Sequence, residues 1–267
     1  MTTTDAVVAM AEYIAGSEEN FVKMMNAKVK SLGLKDTTFK NCHGLDEEGH
    51  VSSAYDMAMI GRELLRHEKI IEFTSIYEMY LRENTDKKIW LVNTNKLVRF
   101  KEGVDGLKTG YTKTAGYCLT ATMKKNNMRI IATVMGEPSA QKRNSEVSSM
   151  LDYAFNQYKI KKFLNKNKVV KSVKLSKAKY DKVNIIPMEE VNILSKKTDK
   201  IKPSYEIELN DIKAPVKKGE IVGTLIVKNN NKKIQEVNLT VERNVEKANL
   251  FQLYWNNIKN VITGNIN

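Results

Sequence analysis

Two cysteines in 267 residues are too few for a disulfide framework. Four prolines and 13 glycines rule out a collagen-like or low-complexity chain. No uninterrupted apolar run approaches the roughly 20 residues that cross a bilayer. The pattern of a secretory leader, with a basic start, an apolar stretch and a small-residue cleavage site, is not found in the opening residues. Aromatics are scarce in the second half, where residues 159–245 hold Phe163, Tyr180 and Tyr205 alone. A nucleic-acid module that stacks bases between its lysines is disfavoured on that ground. What remains is ordinary globular material, 42% hydrophobic and 28% charged, enough for one large domain or two modest ones.

The net charge of +13 is unevenly placed. Residues 1–158 carry 21 basic and 20 acidic side chains, whereas residues 159–267 carry 23 and 11. A neutral first half and a basic second half imply two domains in different surroundings. Anionic lipid or an anionic polymer such as a cell wall suits the second half. So does a plainly solvated lysine-rich surface.

Helical and extended patterns mix in the first half. Met1 to Thr4 run straight into Ala6-Val7-Val8-Ala9-Met10-Ala11, a helix that Thr2 or Thr4 can cap and that ends near Gly16. Ser17 caps a second helix, with Phe21, Met24, Met25 and Val29 on one face and Gly33 as its stop. A chain that opens inside a packed helix reads as a domain lacking its front, with Met1 an internal methionine. Ser53 and Asp56 resemble a capping box. Tyr117–Met123 and Arg129–Met135, joined by Lys124-Lys125-Asn126-Asn127, predict a hairpin, and a helix from about Ser139 to Tyr158 closes the unit. From residue 159 short alternating runs separated by Lys, Asn, Pro and Gly predict a small all-β domain over residues 159–245. Residues 246–267 predict an amphipathic helix: Leu250, Phe251, Leu253, Tyr254, Ile258, Val261 and Ile262 share one face, and its aromatic-rich side suits a membrane interface or docking on the β-domain.

Lys108-Thr109-Gly110 is the first candidate for chemistry. At a strand edge, the ammonium neutralises a carboxylate or an oxyanion. The threonine hydroxyl bonds the substrate, and the glycine lets it lie against the strand. Three residues alone are a weak signal, and a surface lysine is the plain alternative. His43 and His50, seven apart beside Asp46, Glu47 and Glu48, invite a metal reading, but the spacing is loose.

The surroundings make the tripeptide specific. Asp5 to Glu19, Gly33-Leu34-Lys35-Asp36-Thr37-Thr38-Phe39-Lys40-Asn41-Cys42-His43-Gly44-Leu45, Ser53-Ala54-Tyr55-Asp56-Met57, Asn93-Thr94-Asn95-Lys96-Leu97 and Gly106 to Thr112 resemble, in order, successive blocks of the D-alanyl-D-alanine carboxypeptidases of the low-molecular-mass penicillin-binding protein family. Ala214 to Gly223 is similar to the C-terminal β-domain of that family. The resemblance implies an α+β fold: a truncated penicillin-binding, β-lactamase-like transpeptidase domain over residues 1–158, then the β-domain, then the C-terminal helix resting on an anionic membrane surface. It implies a serine-type enzyme of the cell wall, extracytoplasmic and peripheral on the outer face of the cytoplasmic membrane. A serine, activated by the lysine of Ser-x-x-Lys, attacks the bond between two terminal D-alanines of a peptidoglycan stem peptide, and β-lactam antibiotics acylate the same serine. It implies no cofactor, no metal and no nucleic-acid partner.

The family resemblance carries over to Lys108, Thr109, Gly110, Tyr111 and Arg143 as substrate-binding positions, Arg143 as a two-pronged partner for a carboxylate, with a solvated helix arginine as its alternative and simple packing as that of Tyr111. It places Thr2-Thr3-Thr4 where the family has Ser-x-Asn, so that the Thr2 and Thr4 hydroxyls stand in for that element, with helix capping as the alternative. Ser-x-x-Lys lies upstream of that element in the family, and this chain starts after it. Ser139-Ala140-Gln141-Lys142 and Ser176-Lys177-Ala178-Lys179 match the pattern out of order, as chance predicts. The chain alone is therefore expected to be inactive. The rival reading is a non-catalytic peptidoglycan-binding or scaffold protein of the same fold.

Overall fold

The computed structural model describes residues 3–175, 177–180 and 182–249. They form two compact units that divide between Gln157 and Tyr158.

The first unit opens with helices α1 (Thr3–Ala15) and α2 (Glu18–Ser31). Ser17 caps α2 by accepting from the Asn20 N–H at 3.2 Å. The helix stops because Gly33 turns to φ +71°, letting the N–H groups of Gly33 and Leu34 reach the Lys30 and Val29 carbonyls. Thr4 lies inside the first turn of α1 and is not its cap; Thr2 lies outside the described residues. Three further helices follow, α3 (Ala54–Leu64), α4 (Ile70–Thr74) and α5 (Leu97–Phe100), with an exposed hairpin of β1 (Glu78–Leu81) and β2 (Ile89–Val92) ahead of α5.

The centre of this unit is an antiparallel sheet of β3 (Val104–Thr112), β4 (Gly116–Lys125) and β5 (Met128–Glu137), in that order, so β3 is an edge. Asn126 and Asn127 join β4 to β5 with φ of 50° and 61°. Two left-handed residues match the right-handed twist of the flanking strands, and asparagine tolerates that region where a β-branched residue does not. Asn127→Val should therefore cost about 1–2 kcal/mol. The check is a lower urea midpoint at unchanged slope.

Helix α6 (Ala140–Gln157) packs on β4 and β5. Its buried residues, Arg143, Val147 and Leu151, stand four apart on one stripe. Val147 and Leu151 join Leu97, Val104, Leu119, Ala121, Met123 and Ala132 in the core. The apolar stripe thus fixes the rotation of the helix, and its upstream end delivers a guanidinium. Ser139 caps α6, accepting from the Lys142 N–H at 3.1 Å, while Lys142 pairs with Glu146 at 2.5 Å. Serine and lysine in this match to Ser-x-x-Lys therefore serve the helix. Ser176, the start of the other match, lies outside the described residues.

The second unit is all β. Strands β6 (Tyr158–Leu164), β7 (Lys171–Val173), β8 (Val183–Pro187), β9 (Val191–Lys196), β10 (Pro203–Leu209), β11 (Gly223–Asn229) and β12 (Lys232–Val241) form a five-stranded sheet ordered β10-β11-β12-β8-β7 and a separate β6-β9 pair. Alternate residues Val183, Ile185, Leu225, Val227, Val237, Leu239 and Val241 point into one core. The expected helix from residue 246 does not begin there. Val245 pairs with Val216, Lys247 bridges to Ala178, and the Ala248 N–H reaches the Lys177 carbonyl at 2.8 Å. Burial of Val245 and Ala248 holds this stretch extended against the β-domain. The rest of the predicted helix, residues 250–267, lies outside the described residues.

Candidate functional site

The edge strand β3 carries Lys108, Thr109, Gly110 and Tyr111. Thr109 turns inward, 8% exposed, and its hydroxyl lies 2.6 Å from that of Thr94. Thr94 is held by its neighbours. The Asn95 side chain is fully buried, donating to the Gly106 carbonyl at 3.0 Å and accepting from the Leu97 N–H at 3.2 Å. This staples the start of α5 to the strand just before the lysine. Lys108 is exposed as a residue, but its ammonium end turns back to the Thr109 carbonyl at 2.5 Å. Loss of water around it pushes its pKa down from the ordinary lysine value.

The facing wall is the loop between α2 and α3. Asn26 pins Phe39, giving and taking one hydrogen bond at 2.8 and 2.9 Å. Asn41, 6% exposed, closes a turn by donating to the Leu45 carbonyl and accepting from the Gly44 N–H. Cys42 donates both its N–H and its thiol to Glu18, each at 3.1 Å. Burial, with Glu18 beside it, pushes the Cys42 thiol up to about 11, so it stays protonated and is a poor nucleophile. The His50 Nδ1 accepts from the Lys40 N–H at 3.2 Å, and burial pushes its pKa down. That imidazole is neutral at pH 7.

The third side is the start of α6. Arg143, 5% exposed, sends its Nε and Nη2 to the Asn144 side-chain oxygen at 3.1 and 3.0 Å. Its guanidinium is 6.0 Å from the Tyr117 ring, and Tyr117 stacks on Tyr111 with centroids 4.2 Å apart.

These three sides enclose a cleft of about 800 Å³, lined by Lys108, Thr109, Gly110, Tyr111 and Arg143 together. Lys96, Thr94, Tyr117, Asn144, His43, His50 and the Asn41–Leu45 turn also line it, with Met25, Phe39, Met57 and Ala140 as apolar wall. Thr4 does not line it. Among the described residues, the lining holds three cations, Lys96, Lys108 and Arg143, and no aspartate or glutamate. Such a cleft takes an anion, and a carboxylate fits the guanidinium and ammonium donors. His43 and His50 share the cleft, but among the described residues no group of three or more His, Cys, Asp or Glu is placed to hold a metal ion.

A family model described as D-alanyl-D-alanine carboxypeptidase matches residues 2–139, and one described as penicillin-binding protein 5, C-terminal domain, matches residues 158–247. The chain belongs to the D-alanyl-D-alanine carboxypeptidase family. D-alanyl-D-alanine carboxypeptidase DacF of Bacillus subtilis is 51% identical over 246 residues, which cover 91% of this chain and 63% of that protein. The chain thus spans less than two thirds of that relative's length. Among solved structures, penicillin binding protein 5 from Haemophilus influenzae superposes with a TM-score of 0.72 at 33% identity, covering 91% of this chain and 71% of the other. Penicillin-binding protein D2 from Listeria monocytogenes, in a cefotaxime-bound form, superposes with a TM-score of 0.51 at 33% identity, covering 57% and 61%. The mixed α/β unit and the all-β unit are those of the penicillin-binding protein fold.

The family blocks around Asn41 and Asn93 were legible in the sequence as resemblance, without roles. The tight turn Asn41-Cys42-His43-Gly44 and the paired polar run Asn93-Thr94-Asn95 were the signals that could have marked them as cleft walls. Tyr117 and Asn144 gave none, because their place follows from the β3–β4 register and the seat of α6.

Proposed function

We propose that the cleft holds the D-alanyl-D-alanine end of a peptidoglycan stem peptide. The reaction it serves is that of a serine-type carboxypeptidase, which removes the terminal D-alanine through an acyl-enzyme. The observation that carries this reading is the carboxylate-free lining with Lys108 and Arg143 at one cleft. Substrate lies along edge strand β3, where Gly110 presents backbone without a Cβ and unpaired strand groups can accept an extended peptide. Thr109 bonds the peptide, Arg143 takes its terminal carboxylate, and Lys108 neutralises the same end or the oxyanion. Tyr111 covers the aliphatic portion. Thr2 stands in for the serine of the family's Ser-x-Asn on the strength of resemblance, whereas Thr4, outside the cleft lining, is given no role.

The nucleophile is not among the described residues lining the cleft, which include no serine. This chain therefore supplies the recognition wall, and the attacking serine comes from outside those residues. β-Lactams are the matching inhibitors, since a relative was captured with cefotaxime. The setting is extracytoplasmic, peripheral on the outer face of the cytoplasmic membrane through the residues that follow Ala248. No helix of the described residues is long and apolar enough to cross a membrane. The rival reading is a wall-binding scaffold that recognises stem peptide without cleaving it.

The test is titration of the chain with a soluble stem peptide ending in D-alanyl-D-alanine, followed by calorimetry. The same peptide ending in L-alanyl-L-alanine is the control. Saturable binding selective for the D form is expected, with no covalent label from a fluorescent penicillin. Absence of binding, or equal binding of both peptides, overturns the assignment. Covalent labelling would show that the nucleophile lies within this chain and would remove the scaffold reading.

A further inference from the structure

The lysine excess of the second unit is concentrated in one part of it. Residues 158–202 hold 14 lysines and four acidic residues, whereas residues 203–249 hold eight basic and seven acidic residues. The excess falls on the stretch that contributes the separate β6-β9 pair. Lys159 and Lys161 lie on one face of β6, roughly 7 Å apart along the strand. They stand opposite Ser195 and Ile193 of β9. With Lys200, from the turn after β9, they border a cavity of about 190 Å³ that is also lined by Phe163, Ile193 and Ser195. One carboxylate, Asp199, shares the rim. Among the described residues none of these three lysines is in an ion pair, while Lys162 on the other face is matched by Glu190 at 2.6 Å. The Lys159 ammonium donates to the Lys197 carbonyl at 3.2 Å, which holds it at the rim.

We propose that this patch binds a flexible anionic polymer of linked phosphate groups. Lysine is a compact point charge that reads charge and not planar shape, which suits a featureless phosphate chain. The nearby rings are already engaged. Phe163 packs edge-on to Tyr205 at 6.1 Å, and the Arg243 guanidinium covers Tyr180 at 4.2 Å. Phe163, Tyr205 and Tyr180 are therefore not free to stack nucleic-acid bases. The cations ring a concavity, which receives one group of a thin chain and not a planar bilayer surface. The cavity and the three lysines are independent of the carboxypeptidase cleft, so this proposal stands or falls apart from that reading.

The experiment titrates the full chain with fluorescent long-chain polyphosphate over a range of salt. Lys159→Gln/Lys161→Gln/Lys200→Gln should weaken binding about tenfold or more and flatten the slope of log affinity against log salt by about two. A control that removes the same charge from the other half, Lys217→Gln/Lys218→Gln/Lys232→Gln, should change affinity less than roughly threefold. Arginine at the three patch positions keeps the charge and should keep the binding. If the glutamine triple does not fold, Lys161→Gln alone should still lose roughly threefold. Equal losses in patch and control variants overturn the proposal, as does a folded arginine triple that fails to bind. Tighter binding of single-stranded DNA or of phosphatidylglycerol vesicles than of polyphosphate overturns it too.

Discussion

Lys108→Ala should weaken binding of a D-alanyl-D-alanine-ended peptide about 10- to 100-fold, the loss of one charge-assisted hydrogen bond at roughly 1.5–3 kcal/mol. The melting temperature should hardly move, because the lysine is exposed as a residue and its ammonium bonds only the neighbouring Thr109 carbonyl. Affinity and stability thus separate a ligand-facing cation from a structural one. The pH profile adds a second readout. Partial loss of water pushes the Lys108 pKa down, so the ammonium is lost at lower pH than for an ordinary lysine. Only the charged form attracts a carboxylate, so affinity should fall as pH rises through that lowered pKa. In the alanine variant this alkaline limb should vanish, and Lys108→Arg should push it to higher pH. An alanine variant that binds normally would remove the lysine from the recognition wall.

The sequence made the strands and helices of the cleft legible wherever a local rule decides the structure. Lys124 to Asn127 marked a hairpin, and the structure narrows its turn to Asn126 and Asn127, because two left-handed residues are what the strand twist requires. Ser17 and Gly33 marked the ends of α2 because a free N–H needs an acceptor and a left-handed stop needs no Cβ. Legibility ended where a residue's neighbours are distant in sequence. Arg143 reads as one more polar residue on a helix until Val147 and Leu151 set the rotation of that helix. Glu246 to Ala248 fall within the helix expected over residues 246–267, yet the bridge of Lys247 to Ala178 and the bond from the Ala248 N–H to the Lys177 carbonyl win. Local propensity is worth tenths of a kcal/mol per residue, and a buried strand pairing outweighs it.

Asp56 is the sharpest case, and its substitution should have the largest effect on stability. Its position three residues after Ser53 suggests the reciprocal half of a capping box. Ser53 does cap α3, accepting from the Asp56 N–H at 3.2 Å. The Asp56 carboxylate goes elsewhere. It is 1% exposed and accepts from the Asp36 N–H at 2.9 Å and the Thr37 hydroxyl at 2.8 Å. Thr37 in turn lies 2.8 Å from the Ser52 hydroxyl. A single buried charge, near the positive end of α3, therefore ties both ends of the loop that carries Asn41 to Leu45 into the cleft. Asp56→Ala removes the shared acceptor of the Asp36 N–H and the buried Thr37 hydroxyl and should cost about 3 kcal/mol, a fall in melting temperature of roughly 6–12 °C for a unit of this size. Ser53→Ala, which removes one cap, should cost about 1 kcal/mol. Asp56→Asn keeps the shape and one acceptor, so it should fall between the two. Because the loop is a cleft wall, peptide affinity should drop in step with stability across Ser53→Ala, Asp56→Asn and Asp56→Ala. Lys108→Ala should lower affinity alone. If Asp56→Ala proves no more costly than Ser53→Ala, the carboxylate is a helix-end charge and the loop is held by other contacts.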